Sequence, residues 1–118
     1  VVFMGQINDD LMVDILASSK ALCFVSIFEG FGLPIIEAMK CHVPVITSNT
    51  SAMPEIAGNA ALLVNPHNIH DISNAMCKIE NNPKLCKELI QKGKQIIQKF
   101  KWDNTAHTIT ETLLKYAK

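Results

Sequence analysis

Residues 21–41 read ALCFVSIFEGFGLPIIEAMKC, and this stretch decides the fold. Its first six residues form a short apolar run of the length typical of a buried strand. Pro34 stands where the first turn of a helix tolerates a residue without an N–H group. Between them, Gly30 and Gly32 allow the backbone to turn tightly. The stretch therefore predicts a strand, a turn and a helix that runs from Pro34 to about Cys41.

The same alternation of short apolar runs and helical periodicity continues on both sides of this stretch. It is the pattern of βα units, which build a parallel sheet covered by helices on both faces. We therefore expect an α/β fold with a Rossmann-like, three-layer parallel sheet of about four strands and a helical C-terminal part. The predicted strands are residues 1–4, 21–26, 43–47 and 60–64.

The predicted order of these strands makes residues 21–26 the edge of the parallel core, so something must cover this edge. Residues 21–26, 43–47 and 60–64 are expected to form a parallel core. We expect residues 1–4, or another chain, to cover the free edge of 21–26, because an uncovered edge strand favours self-association.

The helices are predicted from their N-terminal caps and apolar stripes. Asparagine and aspartate side chains accept hydrogen bonds from the first free N–H groups of a helix. The last helix carries a stripe of apolar residues from Ala106 to Tyr116, and Trp102 is expected to anchor it in the core. A further short helix is predicted from Pro54 to Gly58. The predicted caps are Asn8, Asn68, Asn82 and Asp103.

Composition excludes several classes of protein. The 118 residues suffice for one domain, and 48% hydrophobic with 19% charged residues is not the composition of a disordered chain. Eleven lysines, with no arginine, balance eleven acidic residues, which argues against nucleic-acid binding. The longest nearly apolar run, 21–28, is far shorter than the roughly 20 residues of a membrane helix. The four cysteines show no CxxC pair and predict reduced thiols in a cytoplasmic protein.

The loop between the strand and the helix could bind an anion. Gly30 and Gly32 allow close approach of a ligand, and the N-terminus of the Pro34 helix favours a phosphate. Glu37, one turn into the helix, could accept two hydrogen bonds from a vicinal diol such as a ribose, and Glu29 could reach the other end of the same ligand. On these features alone, a simple turn followed by a glutamate near a helix N-terminus explains the pattern equally well.

Residues 26–39, SIFEGFGLPIIEAM, resemble the signature of the retaining glycosyltransferases of family four, in which two glutamates are separated by seven residues. The resemblance extends from residues 3–5 through 44–48 and 53–64 to 100–102. It implies the GT-B fold of two Rossmann-like domains. Residues 1–118 would be the latter part of its C-terminal, nucleotide-sugar-binding domain, without the N-terminal acceptor domain and the first strands. Together with the start at Val1, this leads us to expect a chain cut from a longer protein.

The resemblance also implies roles for individual residues. Glu37 would bind the ribose of a nucleotide-sugar donor, and Glu29, the catalytic candidate, would contact the transferred sugar near the reacting carbon. No metal or other cofactor is implied, and the phosphate-binding basic pair of the family lies upstream of this chain. His42 stands where the family commonly has glycine, so a positive φ there would cost about 1 kcal/mol. The remaining donor-binding residues would be Gly30, Phe31, Gly32, Leu33, Gly5, Gln6 and Ile7.

The resemblance implies a hexosyltransferase that transfers a sugar from a nucleotide-diphosphate donor and retains the anomeric configuration. This fragment of the enzyme would be inactive alone. The acceptor would be a saccharide or a lipid-linked molecule, and the parent would be cytoplasmic or peripheral at the inner face of the membrane. Two alternatives remain: a non-catalytic nucleotide-binding or assembly module, and a GT-B phosphorylase or epimerase.

Overall fold

A computed structural model describes residues 1–117 of the chain. The strands are β1 (Leu22–Phe24), β2 (Val45–Ser48) and β3 (Ala61–Val64). The helices are α1 (Asp9–Ser18), α2 (Leu33–Lys40), α3 (Met53–Ala57), α4 (Ile69–Asn81), α5 (Pro83–Ile96) and α6 (Trp102–Tyr116). A single turn of 3-10 helix, Ile97–Lys99, extends α5.

The sheet is parallel, with its three strands in the order β1-β2-β3. Cys23 lies opposite Ile46, which in turn lies opposite Leu62. This confirms the predicted α/β class and the parallel core. Burial raises the pKa of the Cys23 thiol on the edge strand, and all four cysteines are free.

The predicted fourth strand, residues 1–4, is wrong. These residues are exposed and have no strand conformation, so within residues 1–117 they do not cover the edge of β1. A strand is held by hydrogen bonds to a neighbouring strand, and an apolar run without such a neighbour gains nothing from extending.

Two apolar clusters cover the two faces of the sheet, which makes the predicted three layers. Val45 faces the cluster built mainly by α2 and α3, and its neighbour Ile46 faces the cluster built by α4 and part of α5. This alternation is the two-residue period of a strand. Helix α5 contributes Leu89 to the second cluster and Ile96 to the first, so it passes from one layer to the other.

Three of the four predicted caps are confirmed. The side-chain oxygens of Asn8, Asn68 and Asn82 each accept a hydrogen bond from an N–H group in the first turn of α1, α4 and α5. The fourth is wrong, because α6 begins two residues earlier than predicted and its cap position is Lys101 instead of Asp103, without a side-chain cap.

The predicted burial of α6 is also wrong. Trp102 is 88% exposed, and α6 has no buried residue, so neither the tryptophan nor the apolar stripe is in the core. An amphipathic pattern shows that a helix has an apolar face, but it does not show whether the surface that covers this face lies in the same chain.

His42 has a φ of 60° in the turn after α2. This is the positive φ whose cost was anticipated for a histidine in a position that glycine commonly occupies. A side chain in the left-handed region costs about 1–2 kcal/mol relative to glycine, less for a tolerated residue such as histidine. We expect His42→Gly to raise the free energy of unfolding of this chain by about 1 kcal/mol in urea titrations. His67→Gly is the control, since the exposed His67 has no positive φ and glycine there should not stabilise. A destabilised His42→Gly variant would contradict the prediction.

Candidate functional site

The loop from β1 to α2 ends at a glycine that the geometry requires. Gly32 has a φ of 92° and stands at the N-cap of α2, where no side chain caps the helix. A Cβ atom there would lie 3.2 Å from Cδ1 of Ile35. Both the backbone conformation and the close packing therefore favour glycine, and the N-terminus of α2 stays free of a competing side-chain acceptor.

Glu29 is held by two serines. The Ser26 hydroxyl donates to Oε1 of Glu29 at 2.8 Å. The Ser51 hydroxyl donates to the Glu29 carbonyl oxygen at 2.7 Å, and the Glu29 N–H donates back to the same hydroxyl at 3.2 Å. Both the backbone and the carboxylate of this half-buried residue thus have defined partners.

The end of β2 and the segment after it supply hydroxyl groups to the end of β1 and to the loop that follows it. The Thr47 hydroxyl donates to the Phe24 carbonyl at 2.7 Å, the Thr50 hydroxyl to the Ile27 carbonyl at 3.2 Å, and the Ser48 hydroxyl to the Ser26 carbonyl. Sequence reasoning treated residues 48–51 only as a polar loop. The run of hydroxyl residues directly after a buried strand was the available signal.

Glu37 lies in an open groove of about 460 Å³ between α1 and α2. It is half-buried on the second turn of α2. Lys40, one turn further along α2, lines the same groove. The groove is thus lined by two acidic residues, Asp9 and Glu37, and one lysine, beside apolar side chains. Its lining residues are Asp9, Met12, Val13, Leu16, Glu37, Lys40 and Cys41.

Three other predicted donor-binding residues lie in the loop before α2 or at the first position of this helix. Phe31 is 43% exposed and contacts Phe100 edge to face, with ring centroids 5.8 Å apart, and Leu33 is 60% exposed. Gly30 is exposed, and a side chain at this position would meet open space.

The predicted nucleobase turn lies directly before the cap of α1. Gly5 has a φ of 64°, Gln6 is exposed and Ile7 is half-buried. Because α1 forms one wall of the Glu37 groove, this turn lies at the end of that wall.

Of the two glutamates, only Glu37 lines the groove between α1 and α2. Glu29 is fixed against the segment after β2, whereas Glu37 faces α1, and Glu29 does not line the groove. The N-terminus of α2 lies between the two glutamates in the chain. Sequence reasoning missed Lys40 and Ser51 as members of the site.

Within residues 1–117, His, Cys, Asp and Glu side chains form no group of three or more that could hold a metal ion. None of the helices described is both long enough and apolar enough to cross a bilayer.

Three comparisons with known proteins agree. A family model described as "Glycosyl transferases group 1" matches residues 1–96. The serotype-specific mannosyltransferase WbdA of Escherichia coli is 35% identical over 94% of this chain, and O-antigen chain mannosyltransferase B of the same organism is 32% identical over 91%. Sucrose-phosphate synthase of Thermosynechococcus elongatus superimposes with a TM-score of 0.83 and 28% identity over 97% of this chain. The chain spans 14%, 28% and 29% of these three proteins, respectively.

Proposed function

This chain belongs to the group 1 glycosyltransferases, and on that premise we propose that it binds the donor in an enzyme that transfers a hexose from a nucleotide-diphosphate sugar. The proposed transfer retains the anomeric configuration and uses no metal. The acceptor is proposed to be a saccharide or a lipid-linked molecule, and the site of action the cytoplasm or the inner face of the membrane. The mannosyltransferase names of the two relatives support a hexose as the transferred group.

The observation that carries the proposal is that Glu29 precedes an uncapped helix N-terminus in the chain and Glu37 follows it by about one turn. Glu37 lies in the α1–α2 groove, and Glu29 is held at the end of the β1 loop. Ligands of open parallel sheets bind at this carboxyl end of the strands. We propose that an elongated donor, with a ribose at one end and a sugar at the other, spans these two carboxylates.

In the proposed complex, Glu37 accepts hydrogen bonds from the ribose hydroxyls, and the turn of Gly5, Gln6 and Ile7 lies near the base. The diphosphate lies at the N-terminus of α2, near the backbone of Phe31, Gly32 and Leu33. The positive end of the helix dipole favours an anion there. This interaction strengthens as negative charge develops on the leaving diphosphate, so it lowers the barrier to transfer.

Glu29 is the proposed catalytic residue. Its carboxylate would contact hydroxyls of the transferred sugar near the anomeric carbon, with Ser26 holding one carboxylate oxygen. Glycosyl transfer proceeds through a transition state with positive charge at the sugar ring, which a nearby carboxylate stabilises. Gly30 gives this part of the loop an open surface on which a sugar could lie.

Transfer assays on the full-length protein test the proposal. Uridine- and guanosine-diphosphate hexoses would be offered with saccharide and lipid-linked acceptors, and the product anomer would be assigned by proton NMR. We expect a product with the anomeric configuration of the donor, formed at the same rate with and without EDTA. An inverted product would contradict retention, and loss of the rate in EDTA would contradict a metal-free reaction. Donor binding without transfer or hydrolysis would instead indicate a non-catalytic module.

A further inference from the structure

The hydroxyl of Ser51 contacts both polar groups of the Glu29 backbone. It donates to the carbonyl oxygen at 2.7 Å and accepts from the N–H group at 3.2 Å. These two groups belong to different peptide units, so the pair of bonds restrains the backbone on both sides of the Glu29 Cα atom. The direction in which the Glu29 side chain leaves the backbone is thereby restrained as well.

This contact is the last of a series of side-chain hydrogen bonds that follow the backbone pairing of β1 with β2. The strand ladder ends at the pair Phe24–Thr47. Beyond it, backbone carbonyls of the β1 loop are paired with side-chain hydroxyls instead of N–H groups of a strand, and Ser51 makes the last of these bonds. A loop anchored at successive carbonyls by a neighbouring segment is restrained much as a strand is, but it can follow an irregular path.

The backbone conformation at Ser51 favours glycine. Its φ is 56°, one of two positive values among the non-glycine residues described. A residue with a Cβ atom loses about 1–2 kcal/mol in this region. Glycine would adopt this backbone conformation at lower cost, and what the serine side chain adds is its pair of hydrogen bonds with Glu29.

We propose that Ser51 is a positioning residue for Glu29. By its two hydrogen bonds to the Glu29 backbone, Ser51 orients the Glu29 carboxylate toward the transferred sugar. The inference deepens the proposed function and depends on it for the role of Glu29. Ser51 itself touches neither donor nor reacting atoms in this scheme.

The first test measures the geometry without reference to catalysis. In the full-length protein, NMR would follow exchange of the Glu29 amide in Ser51→Ala and Ser51→Gly, with Ser18→Ala as the matched control. Ser18 is an exposed serine whose hydroxyl bonds only to carbonyls of its own helix. We expect faster exchange at Glu29 in both Ser51 variants and no change in the control. Unchanged exchange at Glu29 in the two Ser51 variants would overturn the proposal.

The second test separates positioning from stability. Ser51→Gly removes the hydroxyl but also relieves the backbone strain, so this variant should be at least as stable as the wild type. We expect its kcat for transfer to fall about 10- to 100-fold, because small displacements of a reacting group have effects of this size. The KM for donor and the affinity for nucleotide diphosphate should change little. Wild-type kcat in Ser51→Gly would overturn the proposal.

A double-mutant cycle with Glu29→Gln links the two residues. If Ser51 acts through Glu29, adding Ser51→Gly to Glu29→Gln should lower kcat much less than it does alone. Fully additive losses would overturn the proposal. If Glu29→Gln leaves kcat unchanged, the catalytic role of Glu29 fails, and the exchange measurement then decides separately whether Ser51 positions Glu29.

Discussion

Replacing Glu37 by alanine is expected to weaken the binding of a nucleoside diphosphate to the full-length protein by at least about tenfold. One charge-assisted hydrogen bond contributes about 1.5–3 kcal/mol, and a loss of 1.4 kcal/mol corresponds to a tenfold loss of affinity. Glu37 is half-buried in the α1–α2 groove, so bonds made there are less weakened by water than bonds on an open surface. Isothermal titration calorimetry of wild type and variant would measure the change.

Deoxynucleotides make this test specific for the ribose. If Glu37 accepts bonds from the ribose hydroxyls, the wild type should prefer a ribonucleoside diphosphate over its 2′- and 3′-deoxy forms, and Glu37→Ala should lose that preference. Glu88→Ala is the matched control, since Glu88 lies on an exposed face of α5, where Lys92 bonds to it and lowers its pKa. Equal affinity of wild type and Glu37→Ala for the ribonucleotide would overturn the assignment.

The second large effect concerns the helix that carries Glu37. Ile35 is fully buried in α2, beside Gly32 and within the apolar cluster formed with α3. Truncation of a buried isoleucine to alanine costs about 2–5 kcal/mol, because apolar contacts are lost and a cavity remains. We expect Ile35→Ala to lower the free energy of unfolding of this chain by that amount, as measured by urea titration monitored by circular dichroism.

Leu33→Ala is the control in the same helix. Leu33 is 60% exposed, so its truncation removes little buried surface and should change the free energy of unfolding by no more than about 0.5 kcal/mol. Similar losses in the two variants would mean that α2 does not present its two faces as described. A difference between them would confirm that Ile35 holds the helix against the sheet.

Features that depend on neighbouring residues in the sequence could be predicted well. The caps at Asn8, Asn68 and Asn82 bond to N–H groups two or three residues away. The three strands of the parallel core were found from short apolar runs between helices, and the order of βα units left few ways to arrange them. Gly32 was expected as a turn glycine before α2, and His42 was expected where glycine commonly ends a helix; both have positive φ.

Features that depend on a distant partner could not be predicted in the same way. Residues 1–4 read as a strand, but no described strand pairs with them, and the apolar stripe of α6 found no core to enter. Asp103 had the chemistry of a cap, yet α6 begins at Trp102. For residues 1–4 and the stripe of α6, the local pattern was compatible with the prediction, and a long-range contact would have been needed to realise it, whereas the Asp103 cap failed at the local boundary of the helix.

The sequence by itself determined the α/β class, the parallel core, the glycine turn before α2 and the two glutamates as candidates, since each follows from residue type and spacing. Only the tertiary structure decided what surrounds those glutamates. It set Glu37 against α1 and Lys40, and it brought Ser51, 22 residues away in the chain, into contact with Glu29. The physical reason is that parallel strands align their carboxyl ends, so the loops that follow β1 and β2 meet although no local pattern links them.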